Sequence, residues 1–201
     1  MDSTAETIAQ VQRAGIIQAD AGLCMTCCEC EVACSLSHDG ACNPSLSRIH
    51  IEYNDFVPGA PSIVVCKQCD WPSCYYACAA KWGEPAIRID PSSGARYIDP
   101  SLCRGCGTCL KACPLTPERK VPDRGEPAPE QRGGEKPASE EQVPEELVPE
   151  ELAPPVIAYK SAGRKRIYLK CDLCFTRPEG PACVQICPGN ALTFVPAAKR
   201  R

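Results

Sequence analysis

Sixteen cysteines arranged in four groups of four constrain this chain more than any other feature. They are Cys24/Cys27/Cys30/Cys34, Cys66/Cys69/Cys74/Cys78, Cys103/Cys106/Cys109/Cys113 and Cys171/Cys174/Cys183/Cys187. Every group opens C-x2-C and closes C-x3-C, and only the middle gap changes, from two residues to four, two and eight. The first group sits in "CMTCCECEVAC", where five cysteines compete for four places. Choosing Cys28 over Cys27 gives a spacing found in no other group, so Cys28 is left over, as is Cys42. A free cysteine behaves as a small hydrophobe, and both are expected to be buried.

The chain has 18 cysteines in 201 residues, a density that means a disulfide scaffold in a secreted chain and metal ligation in a reducing compartment. The opening "MDSTAETIAQVQRAGIIQAD" carries acidic residues where a secretory peptide is basic. It also lacks an apolar stretch and a twin-arginine pair. A cytoplasmic location is expected, with the thiols as ligands. No apolar run approaches the roughly 18 residues of a membrane span, so no direct span is expected. Leu, Ile, Val and Phe together supply 37 of the 201 residues, below the roughly 20 % at which an ordinary core becomes doubtful. Ligation must therefore contribute folding free energy, and the metal-free chain is expected to be largely unfolded.

The third group, "CRGCGTCLKACP" (103–114), identifies the ligand. This is the bacterial ferredoxin run C-x2-C-x2-C-x3-C-P, in which three cysteines on one loop hold three irons of a [4Fe-4S] cube. The fourth cysteine ligates a second cube. Small residues in the loop (Gly105, Gly107, Thr108) let the backbone approach the cluster. Zinc takes four ligands around one tetrahedral ion, commonly from two separated pairs, and fits four such groups poorly. The swap of the fourth cysteine, with the proximity of groups two and three, predicts four sets: Cys24, Cys27, Cys30 with Cys187; Cys171, Cys174, Cys183 with Cys34; Cys66, Cys69, Cys74 with Cys113; and Cys103, Cys106, Cys109 with Cys78. Four [4Fe-4S] clusters are expected, or three if the fourth group, with its eight-residue gap, is empty.

These pairings predict an α+β fold of two interleaved bacterial ferredoxin-like dicluster modules with a Pro/Glu-rich insertion. Residues 1–22 are an N-terminal extension, 23–65 and 159–201 the two halves of an outer module, and 66–116 an inner dicluster module. Residues 117–158 are the extended or disordered insertion. Strands are expected at 47–53, 61–65, 86–90, 95–99, 165–169 and 191–195, the third and fourth joined by the turn "PSSG". The insertion has a tandem "VPEEL", and 11 acidic against 5 basic residues from Pro117 to Glu151, a composition that resists packing. An alternative role is an arm anchored on a partner through Leu147, Val148 and Leu152.

Other residues carry weaker signals. His38 and His50, the two histidines, are too few for a catalytic or metal constellation by themselves. Trp71 and Pro72 are candidates to shield a cluster from water. Arg164, Lys165 and Arg166, with Lys199, Arg200 and Arg201, are either a docking surface for an acidic partner or solvated loop ends. No phosphate loop, Ser/His/Asp set or H-E-x-x-H is present. Four oxidised clusters, each −2 with its thiolates, lower the formal charge of −3 to roughly −11, which argues against a nucleic-acid partner.

The four groups and their order resemble the multi-cluster iron-sulfur subunits of molybdenum and tungsten oxidoreductases, hydrogenases and carbon monoxide dehydrogenases. The stretches "CEVACSLSHDGACNPSLSRIHI" and "VVCKQCDWPSCYYACA" are similar to the small electron-transfer subunits that accompany tungsten enzymes of the aldehyde oxidoreductase family, class II benzoyl-CoA reductase in particular. The resemblance implies an electron-transfer subunit without catalytic residues of its own. Its expected partners are a large tungsten-pterin catalytic subunit of aldehyde oxidoreductase type and an upstream ferredoxin, flavoprotein or other iron-sulfur subunit. The same cysteines also suit a subunit of a molybdenum enzyme, a hydrogenase or carbon monoxide dehydrogenase, or a free polyferredoxin.

Overall fold

The computed structural model describes residues 13–53, 59–116, 156–162 and 165–200. In chain order these form β1 (Ile16–Ala19), α1 (Glu29–Asp39), β2 (Ile49–Glu52), β3 (Ser62–Val65), α2 (Ser73–Trp82), β4 (Ile87–Ile89), β5 (Arg96–Ile98), α3 (Thr108–Ala112), β6 (Ile157–Ala162), β7 (Lys165–Lys170), α4 (Ala182–Ile186) and β8 (Leu192–Val195). The strands pair as four antiparallel ribbons, β1 with β8, β2 with β3, β4 with β5 and β6 with β7. Helices and antiparallel strands in this mixture make an α+β chain.

Local chemistry explains where the elements begin and end. α1 opens with Glu29 and Glu31 in its first turn, where carboxylates favour the positive end of the helix dipole. It closes at Gly40, whose φ of 65° lets its N–H reach back to the Leu36 carbonyl. α2 follows Pro72 and ends at Gly83 in the same way, through the Ala79 carbonyl. In the β4–β5 turn the Asp90 carboxylate accepts from the backbone N–H of Ser92 and Ser93 and from both hydroxyls, an Asx-type turn that fixes the ribbon's register.

All six expected strands form, five of them somewhat shorter and β7 one residue longer. Two others were not anticipated. β1 lies in residues assigned to the N-terminal extension, and β6 begins inside residues assigned to the Pro/Glu insertion. Neither sequence has the alternation that marks a half-buried strand by itself; each is held by its partner, Ile16–Ala19 against Leu192–Val195 and Ile157–Ala162 against Lys165–Lys170. The remainder of the insertion, including Leu147, Val148 and Leu152, lies outside the described residues.

Two small cores share the aliphatic side chains. One gathers Ala14, Ile17, Ile49, Val65, Leu173 and Leu192 with several cysteines. The other gathers Ala86, Ile87, Leu110, Ile157 and Tyr168 with several more. The β6–β7 ribbon joins them, because Val156 packs in the first core and its neighbour Ile157 in the second. Asp39, its side chain 6 % exposed, ties the end of α1 to Arg48 at 2.9 Å and to Lys160 of β6 at 2.6 Å. Among the described residues no helix is long and apolar enough to cross a membrane.

Candidate metal centres

The four cysteine loops share one backbone device. The residue before the second cysteine has a positive φ in every loop: Thr26 (55°), Gln68 (46°), Gly105 (69°) and Leu173 (62°). The residue after the second cysteine does so in the first and third, at Cys28 (57°) and Gly107 (70°). Left-handed residues at these points curl the loop and turn its side chains inward. Cys28 therefore occupies the position of Gly107, and Cys27 that of Cys106.

The fold brings the sixteen cysteines to four separate hollows. Hollow A is lined by Cys24, Cys27, Cys30 and Cys187, with Cys28 also at its wall. Hollow B is lined by Cys34, Cys171, Cys174 and Cys183, hollow C by Cys66, Cys69, Cys74 and Cys113, and hollow D by Cys78, Cys103, Cys106 and Cys109. α1 contributes Cys30 to A and Cys34 to B, and α2 contributes Cys74 to C and Cys78 to D. α3 and the residue after it present Cys109 to D and Cys113 to C; α4 and the residue after it present Cys183 to B and Cys187 to A.

The donor chemistry fits a cage better than a single ion. Zn–S bonds of about 2.3 Å place four thiolates roughly 3.8 Å apart. Among the described residues the one set of three donor atoms within 4.8 Å of one another is His38, Asp172 and Cys174, so none of the quartets closes to that spacing. Burial raises the thiols of Cys30, up to about 12, and of Cys74, to about 11; Cys109, Cys171 and Cys183 move in the same direction for the same reason. Buried thiols without a metal stay protonated, and binding of a thiophilic metal must displace those protons.

Hydrogen-bond donors converge on the sulfurs. Arg48 N–H reaches Cys34 Sγ at 3.3 Å, Gln68 N–H reaches Cys66 Sγ at 3.4 Å, and Ala86 N–H reaches Cys78 Sγ at 3.4 Å. The Trp82 indole donates to Cys106 Sγ at 3.3 Å, and the Thr108 hydroxyl lies at the same distance from it. Burial pushes the Cys106 thiol up, but the contacts with Thr108 and Trp82 outweigh it and the net shift is downward. Such bonds stabilise electron-rich sulfur and tune potential.

His38, too isolated in the sequence to suggest a site, acquires partners by folding. In the fold its Nε2 is 2.9 Å from Asp172 Oδ1 and its Nδ1 is 2.9 Å from the Cys34 carbonyl, with Cys34 Sγ and Cys174 Sγ each at 3.9 Å. Burial works against its charged form, yet contacts with Asp172, Cys174 and Cys34 raise it to about 12. The partner is 134 residues away, a separation no local pattern reveals. Gln68 and Lys170 were missed in the same way. The Gln68 amide donates to the Cys171 carbonyl at 2.6 Å and its oxygen accepts from Arg96 N–H at 2.8 Å; Lys170 Nζ donates to the Arg96 carbonyl at 2.8 Å.

Three expectations need correction. Cys42 is exposed and Cys28 only half-buried, because Cys42 lies in the loop beyond Gly40 and Cys28 at a loop position where the side chain borders hollow A. Trp71 is 72 % exposed and does not line hollow C, whereas buried Pro72 forms part of its wall. Arg200 is not a free docking charge: it pairs with Asp70 at 3.0 Å, beside Arg13. Arg164 and Arg201 lie outside the described residues.

These features define an iron-sulfur protein, and comparisons with known proteins agree. The family described as a 4Fe-4S dicluster domain matches residues 95–188. Formate hydrogenlyase subunit 2 of Escherichia coli (strain K12) is 33 % identical over 177 residues, 88 % of this chain and 79 % of that one. Electron transport protein HydN of the same organism is 30 % identical over 191 residues, covering 89 % of this chain and 86 % of that one. A solved structure titled the active site complex BamBC of benzoyl coenzyme A reductase in complex with benzoyl-CoA aligns with 90 % of this chain and 79 % of that one, at 20 % identity and a TM-score of 0.39, too loose a likeness to carry an argument. The chain belongs to the family of 4Fe-4S electron-transport proteins that includes HydN and formate hydrogenlyase subunit 2. It carries multiple [4Fe-4S] clusters and transfers electrons.

Proposed function

We propose that the chain is a cytoplasmic electron-transfer subunit with four [4Fe-4S] clusters, one at each of hollows A to D, held by the cysteine quartets named above. The observation that carries this reading is that each hollow is lined by three cysteines of one group and the swapped fourth of another. The clusters supply the one-electron chemistry; the chain ligates them, buries them and aims N–H groups at their sulfurs. On this reading the inner module (66–116) holds C and D, and the outer module (23–65 with 159–201) holds A and B.

The helices give the wire its order. α1 and α4 each serve both A and B, and α2 and α3 each serve both C and D. B and C meet where Cys66 and Cys171 enter one core and where Gln68, from the loop of C, bonds the carbonyl of Cys171. The order is A–B–C–D, with electrons entering and leaving at the ends. Cys27, exposed beside Met25 (59 % exposed), marks A as a contact point for a redox partner.

The partner we propose is a large tungsten-pterin subunit of aldehyde oxidoreductase type, with low-potential electrons passed to or from it. Dearomatisation of benzoyl-CoA is the candidate reaction there. Support comes from the sequence stretches around groups one and two. A second reading, a subunit in a formate- or hydrogen-linked complex, is favoured by the match to most of formate hydrogenlyase subunit 2. Metal analysis of the complex that co-purifies with this chain under anaerobic conditions separates them. Stoichiometric tungsten supports the first reading; molybdenum or nickel without tungsten overturns it in favour of the second.

A further inference from the structure

Hollow C differs from its neighbours in the charges around it. Arg96 is fully buried, at 0 % exposure, and lines this hollow. Its Nη1 donates to the Gly94 carbonyl at 2.9 Å, while Nε and Nη2 are buried and find no acceptor among the described residues. Lys170, 4 % exposed, lines the same hollow, its Nζ donating to the carbonyls of Arg96 at 2.8 Å and Cys171 at 3.2 Å and meeting the Cys66 thiol of the quartet itself. The nearby carboxylate, Asp70, is already engaged by Arg200 and Arg13. Among the described residues no carboxylate lines the hollow, and the exposed Lys67 adds a third cation to its wall.

The other hollows offer no such surplus. Hollow A is lined by no charged side chain among the described residues. Hollow B has Arg48 and His38, but these are matched by Asp39 and Asp172. Hollow D has Arg104, exposed and lying over the Trp82 ring at 4.5 Å, together with Glu84. Two buried cations without a matching anion are costly unless something negative occupies the space they face. A thiolate-ligated cluster is that anion, and it gains one negative charge on reduction. Nearby positive charge in a medium of low dielectric favours the reduced state.

We propose that Arg96 and Lys170 set the potential of the cluster at hollow C above those at A, B and D, making it the electron store of the relay. One electron leaves a neighbouring [4Fe-4S] site, which is oxidised, and arrives at C, which is reduced; no bond is made or broken and no proton moves. Both side chains keep their charge throughout. The partially reduced protein thus rests with its electron at an interior site, away from the ends where it would be lost to an adventitious oxidant. The inference rests on the ligand assignment above.

The test is a redox titration of the full anaerobic protein followed by electron paramagnetic resonance, with iron and sulfide measured on every sample. Cys69→Ser changes a ligand at C, and the signal that it alters or removes is thereby assigned to C in the otherwise native protein, where the order of reduction is read. The expected result is that the marked signal is the first to appear on reduction. In Lys170→Met, with iron content unchanged, it moves to lower potential and behind at least one other signal; Lys170→Arg restores the original order. Arg96→Gln serves the same purpose if Lys170→Met does not load. A marked signal that is not the first to be reduced, or one that keeps its place in a fully loaded variant, overturns the proposal. A wild-type protein with fewer than four clusters instead overturns the ligand assignment, whatever the variants do.

Discussion

On the proposed ligand assignment, the inner stretch (66–116) and the outer one (23–65 with 159–201) differ in how they build and close their cysteine loops. Of the two inner loops, the one at 103–109 has glycine at both left-handed positions, while the one at 66–74 uses Gln68 (φ 46°); each glycine is also pressed against a neighbour, since a Cβ on Gly105 would lie 2.5 Å from the Arg166 carbonyl oxygen and one on Gly107 2.7 Å from the Tyr168 hydroxyl. The outer loops put Thr26, Cys28, Leu173 and Cys174 into left-handed backbone, at a cost of roughly 1–2 kcal/mol each relative to a right-handed conformation. The inner half is contiguous, with its ribbon and two helices within 66–116. The outer half closes only when β1 meets β8 and α1 meets α4, across more than 140 residues. The contiguous stretch closes on itself locally, whereas the discontinuous one is drawn together by polar ties across the chain, such as His38 to Asp172 and Asp39 to Lys160.

Removing ligands is the strongest way to break this comparison. Cys109→Ala in the inner half and Cys183→Ala in the outer half should each lose about four irons of roughly sixteen, measured with acid-labile sulfide. The outer variant should also lose protease resistance at both ends of the chain, because one cluster there joins residues from each end. Equal iron content in variant and parent would break the ligand assignment.

Polar ties come next in size. Asp39→Ala leaves Arg48, its side chain 10 % exposed, without its carboxylate, and should cost about 3 kcal/mol. The inner half's Glu84–Arg88 pair is an exposed i,i+4 contact, and Glu84→Ala should cost under about 0.5 kcal/mol. Denaturation followed by cluster absorbance checks both, and similar costs would erase the contrast. Gly105→Ala should cost about 2 kcal/mol, since both its φ and the Arg166 carbonyl oppose a methyl group. The smallest effect runs in the opposite direction: Cys28→Gly, which makes the outer loop resemble the inner one, should retain its iron and gain about 0.5 kcal/mol.

What could be read from the sequence follows the same division. The ferredoxin run at 103–114 specifies a cluster loop because its spacing and glycines are local. The six strands that carry their own alternation were visible for the same reason, and the regular C-x2-C spacing separated Cys27 from Cys28 before the backbone gave a cause. β1 was not visible, since its partner β8 lies far along the chain; β6 pairs with the adjoining β7, but its sequence carries no alternation of its own. His38, Gln68, Arg96 and Lys170 were not visible either: each gains its meaning from a partner or a hollow brought to it by folding, and a lone histidine or lysine in a sequence looks like any other. The exposure of Trp71 could not be anticipated, because an indole next to a cysteine loop suits a wall as well as a rim.

The central claim is that four cysteine quartets hold four clusters. Iron and acid-labile sulfide per chain, measured on protein purified anaerobically in its native complex and corrected for other iron-bearing subunits, test it most directly. The account predicts about sixteen of each per chain. About eight of each, or zinc in place of iron and sulfide, would contradict it.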